Sequence, residues 1–169
     1  MSPQALLIRR ISPSDSRQYH ALRQHSLESL AYALEPQIVE ELGAGSAGIE
    51  DLLRRYDLEG IQVWGVFDQH VLTGVLGLSR PPGLDSFDAA LLWGVHVLPR
   101  YRGTMVSRLL MESAVEWCKL DLSVRWMTTI VDRGNVPARR YLERFGFEQA
   151  STDGDEREKF RTLCMRRQT

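Results

Sequence analysis

The 169-residue sequence contains only two cysteines, Cys118 and Cys164. Both fall in apolar, patterned segments, which excludes a disulfide framework and leads us to expect buried thiols in a reducing compartment. No apolar stretch approaches the roughly 20 residues needed to cross a bilayer. The first residues also lack the charged-then-apolar pattern of a secretory leader. A cytoplasmic chain with no membrane partner is therefore the expectation. Lys and Arg number 21 against 22 Asp and Glu, leaving a net charge of −1, so there is no global basic field to draw nucleic acid. The histidines His20, His25, His70 and His96 show no ligand spacing with either cysteine, and no metal site is expected. There is no internal repeat. The length suits one domain, residues 1–169, with a sizeable core.

The apolar pattern alternates between strand and helix. Residues 5–11 read as a strand, and Ser12-Pro13-Ser14-Asp15 as a turn that starts a helix carrying Tyr19, Leu22 and Leu27. Residues 34–48 are less regular, and 49–56 suit a second helix with Asp51 and Arg55 as an i,i+4 pair. Residues 62–67 and 71–79 form a hairpin around Asp68-Gln69-His70, followed by a loop over 81–88. Residues 89–97 are a short apolar run bounded by Pro99, a buried strand. A basic turn with Arg100, Arg102 and Gly103 follows, and from Thr104 the spacing becomes helical, with Leu109, Leu110, Ala114, Val115 and Cys118 on one face. Residues 123–131 are strand-like. Asn135 is a good N-cap, Pro137 is tolerated in the first turn, Ala138, Tyr141, Leu142 and Phe145 recur at helical spacing, and Gly146 stands at the stop. A last strand is expected over 159–166. The strand–helix–strand unit favours parallel pairing with a right-handed crossover, giving a mixed α/β (α+β) fold.

The first turn of the helix after Gly103 presents unpaired N–H groups and the positive end of its dipole. With Arg102 and Arg108 flanking it, a pyrophosphate would meet backbone donors and guanidinium groups together. The same residues also read as an ordinary capped surface helix with basic residues on its exposed side.

Two motifs in the right order decide between these readings. Arg102-Gly103-Thr104-Met105-Val106-Ser107, with Val97 and Pro99 upstream, and Asn135, Ala138, Gly146 and Phe147 downstream, resemble the acetyl-coenzyme A motifs of the GNAT superfamily of N-acetyltransferases. The resemblance implies a single GNAT-like domain with a central, mostly antiparallel, splayed sheet flanked by helices. It further implies that Val95 and Val97 offer backbone groups to the pantetheine arm and thioester. Arg102, Gly103, Thr104, Met105, Val106, Ser107 and Arg108 would wrap the pyrophosphate, and Asn135 would hydrogen-bond the pantetheine. The sequence departs from the family pattern at Met105 and Ser107, where small residues are usual; Met105 is expected to pack inward under the helix, the alternative being a side chain that weakens coenzyme A binding. It departs again at Leu142, where many members carry a tyrosine that protonates the departing thiolate. Tyr141 is one residue early, a rotation of about 100° on a helix, and reads either as the acid or as a packing aromatic. His96, beside the implied acetyl site, is a candidate base and also reads as a satisfied structural histidine, since strict strand alternation points it opposite to Val95 and Val97 unless a bulge intervenes.

The resemblance places the acceptor pocket among the first helices and the loops at Glu35-Pro36 and 81–87. Glu28, Glu35, Glu40 and Glu41 would attract a cationic amine, with Trp93 and Tyr32 lining its apolar part; all six also read as an acidic solvated face plus core aromatics. Neither cysteine sits in a nucleophile motif, so direct attack by a primary amine of a small molecule or protein is expected. The alternative is a catalytically degenerate acyl-coenzyme A sensor or partner-binding module. The resemblance allows a homodimer, which no residue pattern here specifies.

Overall fold

The computed structural model describes residues 5–29, 36–80, 88–121, 123–150 and 162–169, with the side chains of 27–29, 36–37 and 162–166 outside that description. The expectations for Tyr32, Glu35, the 81–87 loop and the side chains of Glu28 and Cys164 lie outside the described residues. The elements run β1 (Leu6–Arg10), a 3-10 turn (Pro13–Asp15), α1 (Ser16–Ser29), α2 (Pro36–Glu59), β2 (Gln62–Asp68), β3 (Val71–Ser79), β4 (Ala89–Val97), a 3-10 turn (Pro99–Tyr101), α3 (Met105–Leu120), β5 (Trp126–Asp132), α4 (Val136–Arg144), β6 (Glu148–Gln149) and β7 (Thr162–Gln168).

The strands form one seven-stranded sheet in the order β1-β2-β3-β4-β5-β7-β6. Every neighbouring pair is antiparallel except β4 and β5, which the α3 crossover makes parallel. Helices cover both faces. On one face α3 and α4 bury Val106, Leu110, Met111, Ala114 and Leu142 against Leu76, Ala90, Leu92 and Met127. On the other, α1 and α2 bury Tyr19, Leu22, Ile49, Leu53 and Tyr56 against Val63, Phe67, Val75 and Trp93. Among the described residues, no helix is long and apolar enough to cross a membrane.

Three sequence expectations change. Residues 36–59 are helical on both sides of a kink where an irregular stretch and a shorter helix were expected. Gly43, Gly45 and Gly48 weaken the helical signal there, and the bend falls at Gly45, the one non-helical residue inside α2. Arg55 pairs with Glu40 and Glu59 rather than Asp51. β5 begins at Trp126 rather than at residue 123, and Val124 N–H donates to the Asp121 carbonyl instead of to a neighbouring strand.

The 3-10 turn before α1 is held by Asp15, whose carboxylate accepts from the Ser12 N–H at 2.8 Å and pairs with Arg9 at 2.7 Å. The Arg9 bonds, with those from Ser12, lower its pKa from 3.8 to about 2. A carboxylate lowered in this way stabilises the fold fully above its unfolded value of 3.8 and loses that contribution as pH falls toward 2. Melting temperatures measured from pH 5 to 2 should therefore fall less steeply in Asp15→Asn than in wild type, and parallel curves would refute the linkage.

Gly77 lies opposite Trp93 across the β3–β4 ladder, and a Cβ there would sit inside the buried Trp93 ring. Gly77→Ala should cost about 1–3 kcal/mol by overpacking, read as a lower urea midpoint; an unchanged midpoint would mean that the indole can move aside.

Candidate active site

β4 and β5 are bonded to each other at three positions, Ala89 to Trp126, Ala90 to Met127 and Leu91 to Thr128. Beyond these, residues 92–97 and 129–132 run on without pairing with each other, and the two strands part. Each then feeds a helix, β4 into α3 and β5 into α4. A gap lined by strand edges and headed by two helix N-termini is where an extended ligand with an anionic end would lie.

A β-bulge shapes the β4 side. Gly77 pairs with Trp93 and Val75 with His96, so Gly94 and Val95 together oppose Leu76. The extra residue reverses the alternation. Leu92 and Val97 both reach the α3 core, whereas Trp93 packs against α1 and α2. His96 is carried to the α1 side, where its Nε2 lies 3.4 Å from His25 Nδ1. Burial, then the charges of Arg23 and Arg102, lower the His96 pKa from 6.5 to about 4, so the imidazole is neutral at neutral pH. Val95 is partly exposed.

After β4 the chain turns through Pro99–Tyr101 into α3. Arg102 Nε donates to the Val97 carbonyl at 3.1 Å, which ties the guanidinium to the end of β4. Gly103 has φ +72°, with no atom within 4 Å of the position a Cβ would take; only glycine adopts this conformation without strain. Thr104 is the N-cap, its hydroxyl accepting from Val106 N–H at 3.3 Å and donating to the Tyr101 carbonyl at 2.6 Å. Ser107 Oγ donates to the Thr104 carbonyl at 3.1 Å. Val106 is buried in the core, which anchors the turn. Met105 does not pack inward as expected: it is 53% exposed, because the first position of α3 faces out of the helix end. Arg108 forms an i,i+4 pair with Glu112 at 2.6 Å on the outer face of α3. An open glycine, a capped helix start and a tethered arginine thus meet at one turn, a donor set suited to a pyrophosphate.

On the β5 side Asn135 caps α4. Its Oδ1 accepts from Ala138 N–H at 3.2 Å, which holds the amide at the start of α4. Tyr141 donates its hydroxyl proton to the Ser107 carbonyl at 2.6 Å and stacks edge-on with Phe145. Burial raises its pKa well above the usual phenol range. It ties α4 to the first turn of α3. Leu142 is buried in the core. Cys118 is also buried, and burial pushes its thiol up to about 11.

The acidic residues assigned to the acceptor pocket are placed differently. Glu40 pairs with Arg55 on the surface, Glu41 is fully buried against Arg23, and Trp93 is core. Sequence reasoning missed Arg23 altogether. Its signal was present: Tyr19, Leu22, Arg23 and Ser26 fall at i, i+3, i+4 and i+7, the buried stripe of α1. A cation on that stripe must have an internal partner. Among the described residues, no group of three or more His, Cys, Asp or Glu could hold a metal ion.

Comparison with known proteins agrees with this geometry. An acetyltransferase of the GNAT family from Streptococcus pneumoniae superposes with a TM-score of 0.78 at 22% identity, over 97% of this chain and 99% of that one. The PaiA N-acetyltransferase of Thermoplasma acidophilum, solved in complex with coenzyme A, gives 0.75 at 18% identity over 98% and 99%. YncA of Salmonella typhimurium, a putative acetyltransferase solved with its cofactor acetyl-CoA, gives 0.76 at 16% over 97% and 94%. No curated protein matches the sequence. The model of the acetyltransferase (GNAT) family matches residues 22–147, a stretch that holds the bulge, both helix starts and the gap between β4 and β5. The chain belongs to the GNAT family of acetyltransferases.

Proposed function

We propose that the protein, acting as one catalytic domain, transfers an acetyl group from acetyl-CoA to a primary amine by direct attack. The observation that carries this reading is the parting of β4 from β5 beside the α3 turn. Bound there, acetyl-CoA supplies an activated acyl group on a good leaving group. Arg102 and the first turn of α3 would take the pyrophosphate. The backbone of Val95 and Val97 and the Asn135 amide would take the pantetheine arm, and Gly103 lets the loop approach closely. With Arg108 paired to Glu112, its share in anion binding is through the field at the helix start.

In the reaction the amine nitrogen forms the C–N bond as the C–S bond breaks. The nitrogen loses a proton, and the thiolate gains one. His96 is neutral and accepts the first. Tyr141 already donates to Ser107, so the thiolate takes its proton from solvent or by relay from the protonated His96. A second reading, an acyl-CoA sensor without turnover, is favoured by two observations: Leu142 is buried where the family acid stands, and the Tyr141 proton is engaged.

Calorimetric titration with acetyl-CoA tests the site. Micromolar affinity is expected for wild type, with a loss of about tenfold or more in Arg102→Ala, as for a charge-assisted hydrogen bond. Unchanged affinity in Arg102→Ala would remove this residue from the site. A panel of amines with thiol-release detection then separates the two readings, because binding without thiol release on any amine would establish the sensor.

The histidine makes a separate prediction. His96→Gln should lower kcat by about 10²-fold or more with acetyl-CoA affinity unchanged. Because the folded pKa is about 4, the basic form is complete above about pH 5 and is lost as pH falls through 4. The acid limb of kcat should lie near 4, and a limb near 6.5 that vanishes in the variant would contradict the depressed value.

A further inference from the structure

Arg23 is fully buried, as is its ion-pair partner Glu41. Its Nε lies 2.8 Å from Glu41 Oε2. Nε and Nη2 also donate to the Tyr19 hydroxyl at 3.1 and 2.9 Å. Tyr19 in turn donates to Glu41 Oε1 at 2.5 Å, and Tyr56 donates to the same oxygen at 3.3 Å. The remaining nitrogen, Nη1, donates to the backbone carbonyl of Gly94 at 2.5 Å. A buried ion pair of this kind is often no more stable than apolar side chains of similar volume, so stability alone does not call for an arginine at this position.

The carbonyl that Arg23 holds belongs to the bulge. Gly94 has φ +58°, and a Cβ there would lie 2.7 Å from Arg23 Nη2, so both the backbone conformation and the guanidinium's approach require glycine. Among the described residues no peptide bond is cis. In a trans peptide the C=O and the following N–H point in opposite directions. Binding the Gly94 carbonyl from the α1 side therefore turns the Val95 N–H away from α1. A guanidinium N–H donating to the carbonyl oxygen also draws electron density through the conjugated amide, which makes its N–H a stronger donor.

We propose that Arg23 is a positioning residue for acetyl transfer: through the Gly94 carbonyl it fixes and polarises the bulge peptide, so that the Val95 N–H donates to the thioester carbonyl oxygen. This rests on the acetyl-CoA reading above. The donor acts where the electron pair of the C=O bond moves onto oxygen as the amine attacks, and a preset amide at such a point is worth far more than a mobile one. Glu41 neutralises the guanidinium and, with the two tyrosine hydroxyls, holds it in one orientation.

The test reads the bond itself. Acetyl-CoA labelled with carbon-13 at the thioester carbonyl is bound without amine, and its stretch is recorded by isotope-edited infrared difference spectroscopy. In wild type the bound carbonyl should absorb at lower frequency than the free compound. In Arg23→Gln, and in the double variant Arg23→Met with Glu41→Leu that leaves no unpaired buried charge, the band should return toward the free value. Acetyl-CoA affinity should stay within about threefold and kcat should fall by about tenfold to a hundredfold. A band that stays shifted in a folded variant of unchanged affinity would reduce Arg23 to a tie between α1 and β4. The wild-type spectrum decides even if both variants fail to fold, since a bound carbonyl at the free frequency overturns the proposal. Failure of wild type to bind acetyl-CoA in the titration would remove the cofactor reading and this inference together.

Discussion

Three residue pairs between β4 and β5 join the antiparallel meander of β1 to β4 to the β5-β7-β6 half of the sheet. Everything at the candidate site depends on their being so few. Full pairing would close the gap and cover the strand edges with backbone bonds. No pairing would leave two sheets with nothing to hold their relative position. The α3 crossover provides the second restraint, since its buried face packs under strands from both halves, with Leu76 and Leu92 on one side and Met127 on the other. The sheet can therefore stay open at one end without losing its core.

The bulge at Gly94 and Val95 is the local counterpart of that opening. It reverses the alternation of β4, so that Val97 returns to the α3 core and His96 is delivered to the α1 face. A strand that paired β3 regularly throughout would have placed these two side chains on the opposite faces. The bulge is locked from behind by the buried guanidinium and from within by a glycine conformation that side-chain-bearing residues rarely adopt. Helix α1 thus fixes backbone geometry in the middle of the sheet from a single side chain.

Much of this was legible in the sequence because its causes are local. The switch of period after Gly103, the N-cap Asn135 and the apolar run ended by Pro99 are all short-range signals, and the helices and strands they mark are present. What could not be read depends on distant partners. Whether β4 bulges is decided by its register with β3. The outward placement of Met105 follows from how α3 leaves the loop, which no periodicity within the helix reports. The fate of Glu41 required knowing that an arginine 18 positions earlier, Arg23, points into the same layer. The three glycines of α2 hid a helix whose buried face, from Ile38 to Tyr56, is supplied by contacts with the sheet and α1.

The buried cation bears on both groups delivered by the bulge. Arg23 holds the Gly94 carbonyl, and after burial its charge is the next cause of the lowered His96 pKa. These two effects act together on the acetyl-transfer reading. A histidine that charged at neutral pH would place a cation beside Arg23 and Arg102, repel an incoming ammonium group and have no lone pair for its proton. Kept neutral, it can accept one, but only a nitrogen made acidic by bond formation gives it up readily to so weak a base. Proton removal is then tied to C–N bond formation, the stage at which charge also grows on the thioester oxygen. On the proposed role of Arg23, the amide donor it strengthens would stabilise that charge, so the arginine that weakens the base would also favour the step that acidifies the nitrogen.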